Sequence, residues 1–292
     1  MRPTGLGGQV SKPKDYRTDL NPVWCPGCGD FGVLRGLTQT LSDLEIQPEK
    51  LALISGIGCS SRLPGYTRSY SFNTLHGRAL PIATGLKLAR PDMTTVVVGG
   101  DGDGFSIGIG HIPHAVRRDV NLTYAVLDNG LYGLTKGQAS PTSTQEFKAQ
   151  RGLAGQDERP INPVMLLLSS GCGFVARTHA GNLPHLRQMF REAISHRGFA
   201  FLHVMAGCVT YQKPSYAQQL YAQCDLLPES YDPTNFAQAV ETARAERFAL
   251  GVIYRRPPGE RPAISGPDHS DAVGIWPSLD TPAEITFPGG AT

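Results

Sequence analysis

Between residues 51 and 206 the chain alternates short runs rich in β-branched and apolar residues with longer segments whose apolar positions recur every three to four residues. The runs LALISG (51–56), TTVVVGG (94–100), NLTYAVLDN (121–129), GFVARTH (173–179) and FAFLHVMA (199–206) predict strands. Val33, Leu34, Leu37, Leu41 and Leu44 fall at helical spacing, and Asp30 ahead of them predicts the N-cap. Ala79, Ile82, Leu86 and Ala89 predict a second helix. The segment GNLPHLRQMFREAISHRG (181–198) predicts an amphipathic helix with a glycine stop, and DPTNFAQAVETARAERFALG (232–251) predicts a late one with the same ending. Strands alternating with helices define the expected fold class: α/β, a doubly wound, mostly parallel sheet with helices on both faces. Beyond Arg256 the chain is rich in Pro and Gly with little periodicity, so the expected organisation is a domain over 1–255 and an irregular tail over 256–292.

Composition narrows the function classes. A chain of 292 residues with 40% hydrophobic content can bury a sizeable core. Its 27 basic and 25 acidic side chains leave a formal net charge of +2, with no basic stripe of the kind nucleic acid requires, so nucleic acid is not an expected partner. The opening MRPTGLGGQVSKPKDY has no apolar core, and stretches such as PVMLLL are too short to cross a bilayer; no membrane association and a cytoplasmic location are expected. Six cysteines at unequal spacing do not resemble a disulfide framework and are expected to bind metal or to be inert.

The first chemistry-bearing segment is VVVGGDGDGFSIG (96–108), where a β-branched run ends in glycines and an acidic pair and then starts a helix. Glycines admit an anion close to the backbone, the helix N-terminus aims amides at it, and Asp101 at the strand's carboxyl end can hold a divalent cation against phosphates. One helix and one strand later comes LDNGLYGLTKGQ, with Asn129 placed 28 residues after Asp101. Carboxyl ends of adjacent strands form the ligand crevice of a doubly wound fold, so Asp101 and Asn129 are expected to meet on one Mg²⁺. A dinucleotide site is disfavoured, because GGDGDG is not G-x-G-x-x-G opening a helix after a first strand and the end of the next strand, AVLDNG, is occupied by Asn129 with no acidic residue standing clearly for a ribose. The Gly-Asp-Gly followed by this Asn resembles the diphosphate-binding motif of thiamine diphosphate enzymes. That resemblance adds the Leu131 carbonyl to the Mg²⁺ ligands.

The segment NPVWCPGCGDFGVL (21–34) places Cys25 and Cys28 ahead of the first helix, SGIGCSSRLPGY places Cys59 at a strand end, and VMAGCVTYQKPS places Cys208 at another. Four thiolates at one sheet edge suit either a tetrahedral zinc or a four-iron four-sulfur cluster. A neighbouring thiamine site favours the cluster, since zinc cannot change oxidation state and a cluster can take electrons one at a time. Cys172 and Cys224 read as small buried hydrophobes or free thiols. Lys136 reads as a solvated loop lysine.

Taken together, CPGCGDFG, GIGCSSR, LHGRALPIATGLKLA, GDGDGFSIG and YGLTKGQASPTS resemble, in order, the signatures of the β subunit of 2-oxoacid:ferredoxin oxidoreductases, across residues 15 to 255. The resemblance implies that Cys25, Cys28, Cys59 and Cys208 bind one 4Fe-4S cluster and that Asp101, Asn129 and Leu131 bind Mg²⁺. It implies that Ile57, Gly58, Cys59, Ser60, His76, Gly102, Asp103, Gly133 and Leu134 contact thiamine diphosphate. The chain departs from the family's usual wording at Gly207 and at Tyr211–Gln212. The implied activity is coenzyme A-dependent oxidative decarboxylation of a 2-oxoacid, giving an acyl-coenzyme A and reduced ferredoxin, with 2-oxoglutarate as the expected substrate. No segment resembles the domain that supplies the thiamine-activating carboxylate, so an α subunit is an implied partner. No C-x₂-C-x₂-C-x₃-C-P run occurs, which puts further clusters on ferredoxin or another polypeptide. Competing readings are a non-oxidative thiamine decarboxylase or synthase subunit with a structural zinc, and a metal-binding assembly subunit without catalysis.

Overall fold

A computed structural model describes residues 12–144, 158–212 and 215–257. In chain order the elements are α1 (Gly29–Asp43), β1 (Leu51–Ser55), β2 (Tyr70–Asn73), α2 (Ala79–Ala89), β3 (Thr94–Gly100), α3 (Ile112–Arg117), β4 (Leu122–Asp128), β5 (Leu131–Tyr132), β6 (Gln138–Ala139) and α4 (Pro163–Ser169). They continue as β7 (Phe174–His179), α5 (Leu183–Ser195), β8 (Phe199–Met205), α6 (Tyr216–Ala222), β9 (Cys224–Leu226), α7 (Phe236–Arg244) and β10 (Phe248–Arg255). Eight strands form one sheet in the order β2-β1-β3-β4-β8-β7-β10-β9. From β2 to β7 every neighbouring pair is parallel, and β10 joins antiparallel to β7.

Alternation along the strands divides the core into two layers. Leu53, Val96, Val98, Ala125, Leu127, Leu202 and Val204 face α1 and α5, where Leu34, Leu37, Leu41, Leu186 and Phe190 are fully buried. Ile54, Val97, Tyr124, Val126, Phe199 and Phe201 face the opposite layer of α2, α3, α4 and α7. This is the expected doubly wound architecture, and it brings the carboxyl ends of β1, β3, β4 and β8 together along one edge.

Three local expectations are corrected. Asp30 does not cap α1; Cys28 holds the N-cap position, and Asp30 is buried within the first turn. On α2 the inward residues are Ala79, Leu80 and Ala83, while Ile82 points outward at 43% exposure, because the helix is rotated from the face its spacing suggested. The late helix is capped by the Asn235 side chain and ends at Arg244, and Phe248 to Arg255 form β10 against β7. Pairing across the sheet outweighs the helix propensity of that run, as tertiary context commonly does. The tail lies outside the described residues apart from Arg256 and Pro257, and Arg256 donates to Asp119 Oδ2 at 3.1 Å.

Candidate active site

Four loops leave the sheet at the shared edge. The loop after β1 carries Ile57 to Ser60, the turn after β3 carries Asp101 to Asp103, the loop after β4 carries Asn129 to Leu134, and β8 leads to Cys208. A cleft open to solvent is lined by Ile57, Gly58, Cys59, Ser60, His76, Asp101, Gly102, Asp103, Asn129, Leu131, Gly133 and Leu134. Every residue expected at the thiamine and Mg²⁺ sites therefore borders one cleft. The same lining adds Asp30, Gly100, Leu127, Tyr132 and Thr135, which the sequence motifs had not singled out.

Asp101 is buried at 1% exposure. Its Oδ1 accepts from the Asn129 backbone amide at 3.3 Å, and the Thr142 hydroxyl oxygen lies 3.0 Å from its Oδ2. Burial, with the charge of Asp128 second, pushes its pKa up to about 8. Burial there disfavours the charged form of the carboxyl. Asn129 Oδ1 accepts from the Leu131 amide at 3.0 Å, which folds the ligand loop back on itself, and Gln212 Nε2 donates to the Asn129 carbonyl at 2.9 Å. Gln212 is one of the positions where the chain departs from the family's wording, and here it braces the ligand loop.

Asp103 lines the cleft but is largely engaged with the protein. Its Oδ1 accepts from the amides of Ile57 at 2.9 Å and Gly77 at 2.8 Å, and His76 Nδ1 lies 3.1 Å from the same oxygen. One carboxylate thus joins three loops. Tyr132 sets its ring edge-on to His76 and donates to the Gly102 carbonyl at 3.3 Å. A Cβ on Gly102 would overlap the Tyr132 ring, so glycine is required there for this approach. The Ser60 hydroxyl is buried and has no hydrogen-bond partner among the described residues, which leaves it available to a ligand in the cleft.

The four expected cluster cysteines lie on three segments at this same edge. Cys25 is exposed, while Cys28, Cys59 and Cys208 are half-buried. Trp24 ties two of the segments together: its Nε1 donates to the Cys59 carbonyl at 2.8 Å and its ring packs edge-on against Phe31 and Tyr66. Sequence reading missed Trp24, although it directly precedes Cys25. Burial raises the Cys28 thiol well above its ordinary value, and the charge of Asp30 adds to the effect. Burial raises Cys59 to about 11, followed by Asp30 and Cys208. Among the described residues no group of three or more His, Cys, Asp or Glu side chains stands where it could hold a metal ion, so the thiols are neighbours without forming a closed ligand set. Cys172 is buried against the Phe174 carbonyl, away from this edge.

Three raised carboxyls set a pH dependence, Asp103 among them, pushed up chiefly by burial. Asp30 is pushed up to about 7, chiefly by burial, and Asp101 to about 8. A carboxyl whose pKa is raised on folding holds its proton more tightly when folded, so its stabilising effect is complete below about 4 and is lost as pH rises through the folded value. His111, His179, His185, His196 and His203 are lowered by burial, and above about 6.5 they are neutral in both states. The cofactor-free protein is therefore expected to melt at progressively lower temperature as pH rises from about 7 to about 8.5. Mg²⁺ with thiamine diphosphate should flatten or reverse that slope. Thermal melts across this window check it, and a cofactor-free profile that rises with pH would contradict the assignment of these carboxyls.

The parallel sheet and its edge cleft define a thiamine-enzyme domain, and residues 56–204 match the family described as thiamine pyrophosphate enzyme, C-terminal TPP binding domain. Residues 208–262 match the family described as the C terminal of the pyruvate ferredoxin oxidoreductase beta subunit. The chain belongs to the β subunits of the 2-oxoacid:ferredoxin oxidoreductases, and it therefore acts as one part of an oxidoreductase beside an α subunit. It is 42% identical over 255 residues to 2-oxoacid:ferredoxin oxidoreductase 2, subunit beta, of Aeropyrum pernix, covering 82% of each chain. It is 43% identical to 2-oxoglutarate oxidoreductase subunit KorB of Mycobacterium tuberculosis, over 71% of this chain and 56% of that protein. Among solved structures, a 2-oxoglutarate:ferredoxin oxidoreductase from Magnetococcus marinus with 2-oxoglutarate, coenzyme A and succinyl-CoA bound superposes with a TM-score of 0.85 at 41% identity, over 92% of this chain and 91% of that one. Among the described residues no helix is long and apolar enough to cross a membrane.

Proposed function

We propose that this chain, with its α subunit, carries out the coenzyme A-dependent oxidative decarboxylation of 2-oxoglutarate to succinyl-coenzyme A, or the reverse, with electrons passing one at a time through a 4Fe-4S cluster to ferredoxin. The observation that carries the reading is the convergence of the Asp101–Asn129 pair and the Cys25, Cys28, Cys59 and Cys208 segments on one sheet edge. The donor chemistry fits the groups proposed. Asp101, the Asn129 side chain and the Leu131 carbonyl are hard oxygen donors of the kind Mg²⁺ takes, whereas four cysteines are soft donors suited to iron and sulfide. The unpartnered Ser60 hydroxyl and the open space beside Gly58 leave room for a polar ligand between the two.

Thiamine diphosphate, when bound, supplies the carbanion chemistry that cleaves the carboxylate from a 2-oxoacid. The chain's own part is to hold and to exclude. Asp101, Asn129 and Leu131 would hold Mg²⁺ against the diphosphate, and Ile57, Gly58, Cys59, Ser60, His76, Gly102, Asp103, Gly133 and Leu134 would shape the cofactor's bed. Cys59 belongs to both proposed residue sets, so the loop after β1 would serve cofactor and cluster alike. The choice of 2-oxoglutarate is supported by the name of the M. tuberculosis relative and by the 2-oxoglutarate and succinyl-CoA bound in the M. marinus structure.

The deciding experiment is metal and cofactor analysis of anaerobically purified complex. About four irons, four sulfides and one thiamine diphosphate per chain are expected, and zinc without iron would overturn electron transfer in favour of a non-redox thiamine enzyme. Cys25→Ser is expected to remove the iron while leaving thiamine diphosphate binding measurable, because Cys25 does not border the cofactor cleft. Full iron in that variant would refute the cysteine assignment.

A further inference from the structure

Behind the cleft lies a chain of buried polar groups that no motif had marked. Arg177 on β7 is 3% exposed, and its Nε donates to His203 Nδ1 on β8 at 3.1 Å. His203, also 3% exposed, places Nε2 2.9 Å from Asp128 Oδ2 at the end of β4. Arginine only donates, so His203 Nδ1 must accept, and the imidazole proton sits on Nε2 and points at Asp128. The direction of both hydrogen bonds follows from that. The rings of His203 and Phe201 stack, and Arg177 lies over the Phe248 ring of β10, which fixes both side chains in place.

With Oδ2 taken by His203, Asp128 has Oδ1 left for the loop that follows. That oxygen accepts from the Gly130 amide at 2.9 Å and from the Thr142 hydroxyl at 2.8 Å. Gly130 sits between Asn129 and Leu131, Thr142 follows β6, and Ser143 Oγ adds a second tie by donating to the Gly130 carbonyl at 2.5 Å. The Thr142 hydroxyl also lies 3.0 Å from Asp101 Oδ2. Asp128 therefore ties Gly130 to Thr142, and Thr142 sets that tie beside Asp101.

We propose that His203, oriented by Arg177, is a positioning residue for the metal site: it turns Asp128 so that Oδ1 clamps Gly130 to Thr142 and holds Asn129 and the Leu131 carbonyl facing Asp101. The inference rests on the reading that Asp101 and Asn129 bind Mg²⁺ with thiamine diphosphate. It adds a role for a histidine that touches neither group. A buried arginine with no carboxylate of its own is accounted for in the same way, since its charge reaches Asp128 through the neutral ring.

The substitutions His203→Asn and His203→Gln separate this role from simple packing. In His203→Asn the side-chain oxygen would stand near the place of Nδ1 and still accept from Arg177, but the shorter amide falls short of Asp128. In His203→Gln the longer amide reaches the place of Nε2 and restores the donor. The complex with its α subunit would be stripped of Mg²⁺ and thiamine diphosphate, then titrated with Mg²⁺ at saturating thiamine diphosphate while cofactor binding is followed by calorimetry. His203→Asn is expected to raise the Mg²⁺ concentration at half-saturation about tenfold or more, as loss of a group supporting a ligand does, and His203→Gln to stay within about threefold of the parent. Cofactor affinity at saturating Mg²⁺ should return to near the parent value in both.

Equal Mg²⁺ affinities for the two variants, whether both normal or both impaired, would overturn the proposal. Should His203→Asn fail to fold, Thr142→Val releases the other end of the same tie at a half-buried position, and an unchanged Mg²⁺ requirement in that variant would also overturn it. Asp101→Asn serves as the reference. If the parent and Asp101→Asn bind thiamine diphosphate alike with and without Mg²⁺, the underlying metal reading falls and this one falls with it.

Discussion

Replacing Asp101 with asparagine is expected to abolish Mg²⁺-dependent retention of thiamine diphosphate while leaving the cofactor-free chain as stable as the parent or more so. The two readouts move apart for one physical reason. At neutral pH the Asp101 carboxyl is buried at 1% exposure beside the Asp128 carboxylate, and that environment pushes its pKa to about 8. Without a cation, the folded protein bears the cost of that burial. An amide of the same size keeps an acceptor for the Asn129 amide, carries no charge, and removes the conflict with Asp128. With a cation the balance inverts, because the ligand that would neutralise both metal and diphosphate charge is missing. Loss of a direct ligand should exceed the 10- to 100-fold loss typical of supporting residues, so a rise of at least about 100-fold in the Mg²⁺ requirement is expected. Paired measurements of melting temperature without cofactor and of Mg²⁺ titration with it check the claim. A variant that is destabilised yet still binds cofactor would reverse the interpretation of this carboxylate.

A comparably large effect is expected from Gly56→Ala, one methyl group added at the end of β1. The new Cβ would overlap the Asp103 carboxylate, which cannot stay where it is. Moving it breaks the hydrogen bonds to the Ile57 and Gly77 amides and the approach to His76, and so unfastens three cleft loops at once. Hydrogen bonds to a charged group contribute about 1.5–3 kcal/mol each, so a destabilisation of about 3 kcal/mol or more should accompany the loss of cofactor binding. In a domain of this size that corresponds to a fall in melting temperature of about 6 °C or more. The cause is tested by a double-mutant cycle with Asp103→Ala, in which Gly56→Ala should cost much less because the group it displaces is gone. Equal costs in both backgrounds would show that the damage comes from somewhere other than the Asp103 brace.

Gly56 and Asp103 also mark the boundary between what was legible and what was not. The GGDGDG turn could be picked out as a candidate site because strand end, glycines and acidic pair are contiguous, and contiguous features are readable from sequence. Both acidic residues of that turn border the cleft. The sequence did not indicate that Asp101 faces the loop after β4 while Asp103 turns back to bind the amides of two other loops, since those amides lie 46 and 26 residues away along the chain.

Strand and helix periods are local properties, and they were enough to indicate the α/β class, the five central strands and α1, α2, α5 and α7 among the helices that cover them. Parallel strands must all end at the same edge, so the places of Cys59, Asp101, Asn129 and Cys208 at strand ends were enough to put them on one edge. The strands at the two sides of the sheet, outside the five central ones, were different. β2, β9 and β10 are defined by the neighbours they pair with, and the run after Arg244 changed from expected helix to strand because β7 offered it an open edge. The same limit hid His203, which reads as one more position in the buried run FAFLHVMA. Only the packing of β7 beside β8, and β8 beside β4, sets Arg177, His203 and Asp128 in a line, because a hydrogen bond between strands depends on register across the sheet and not on spacing along the chain.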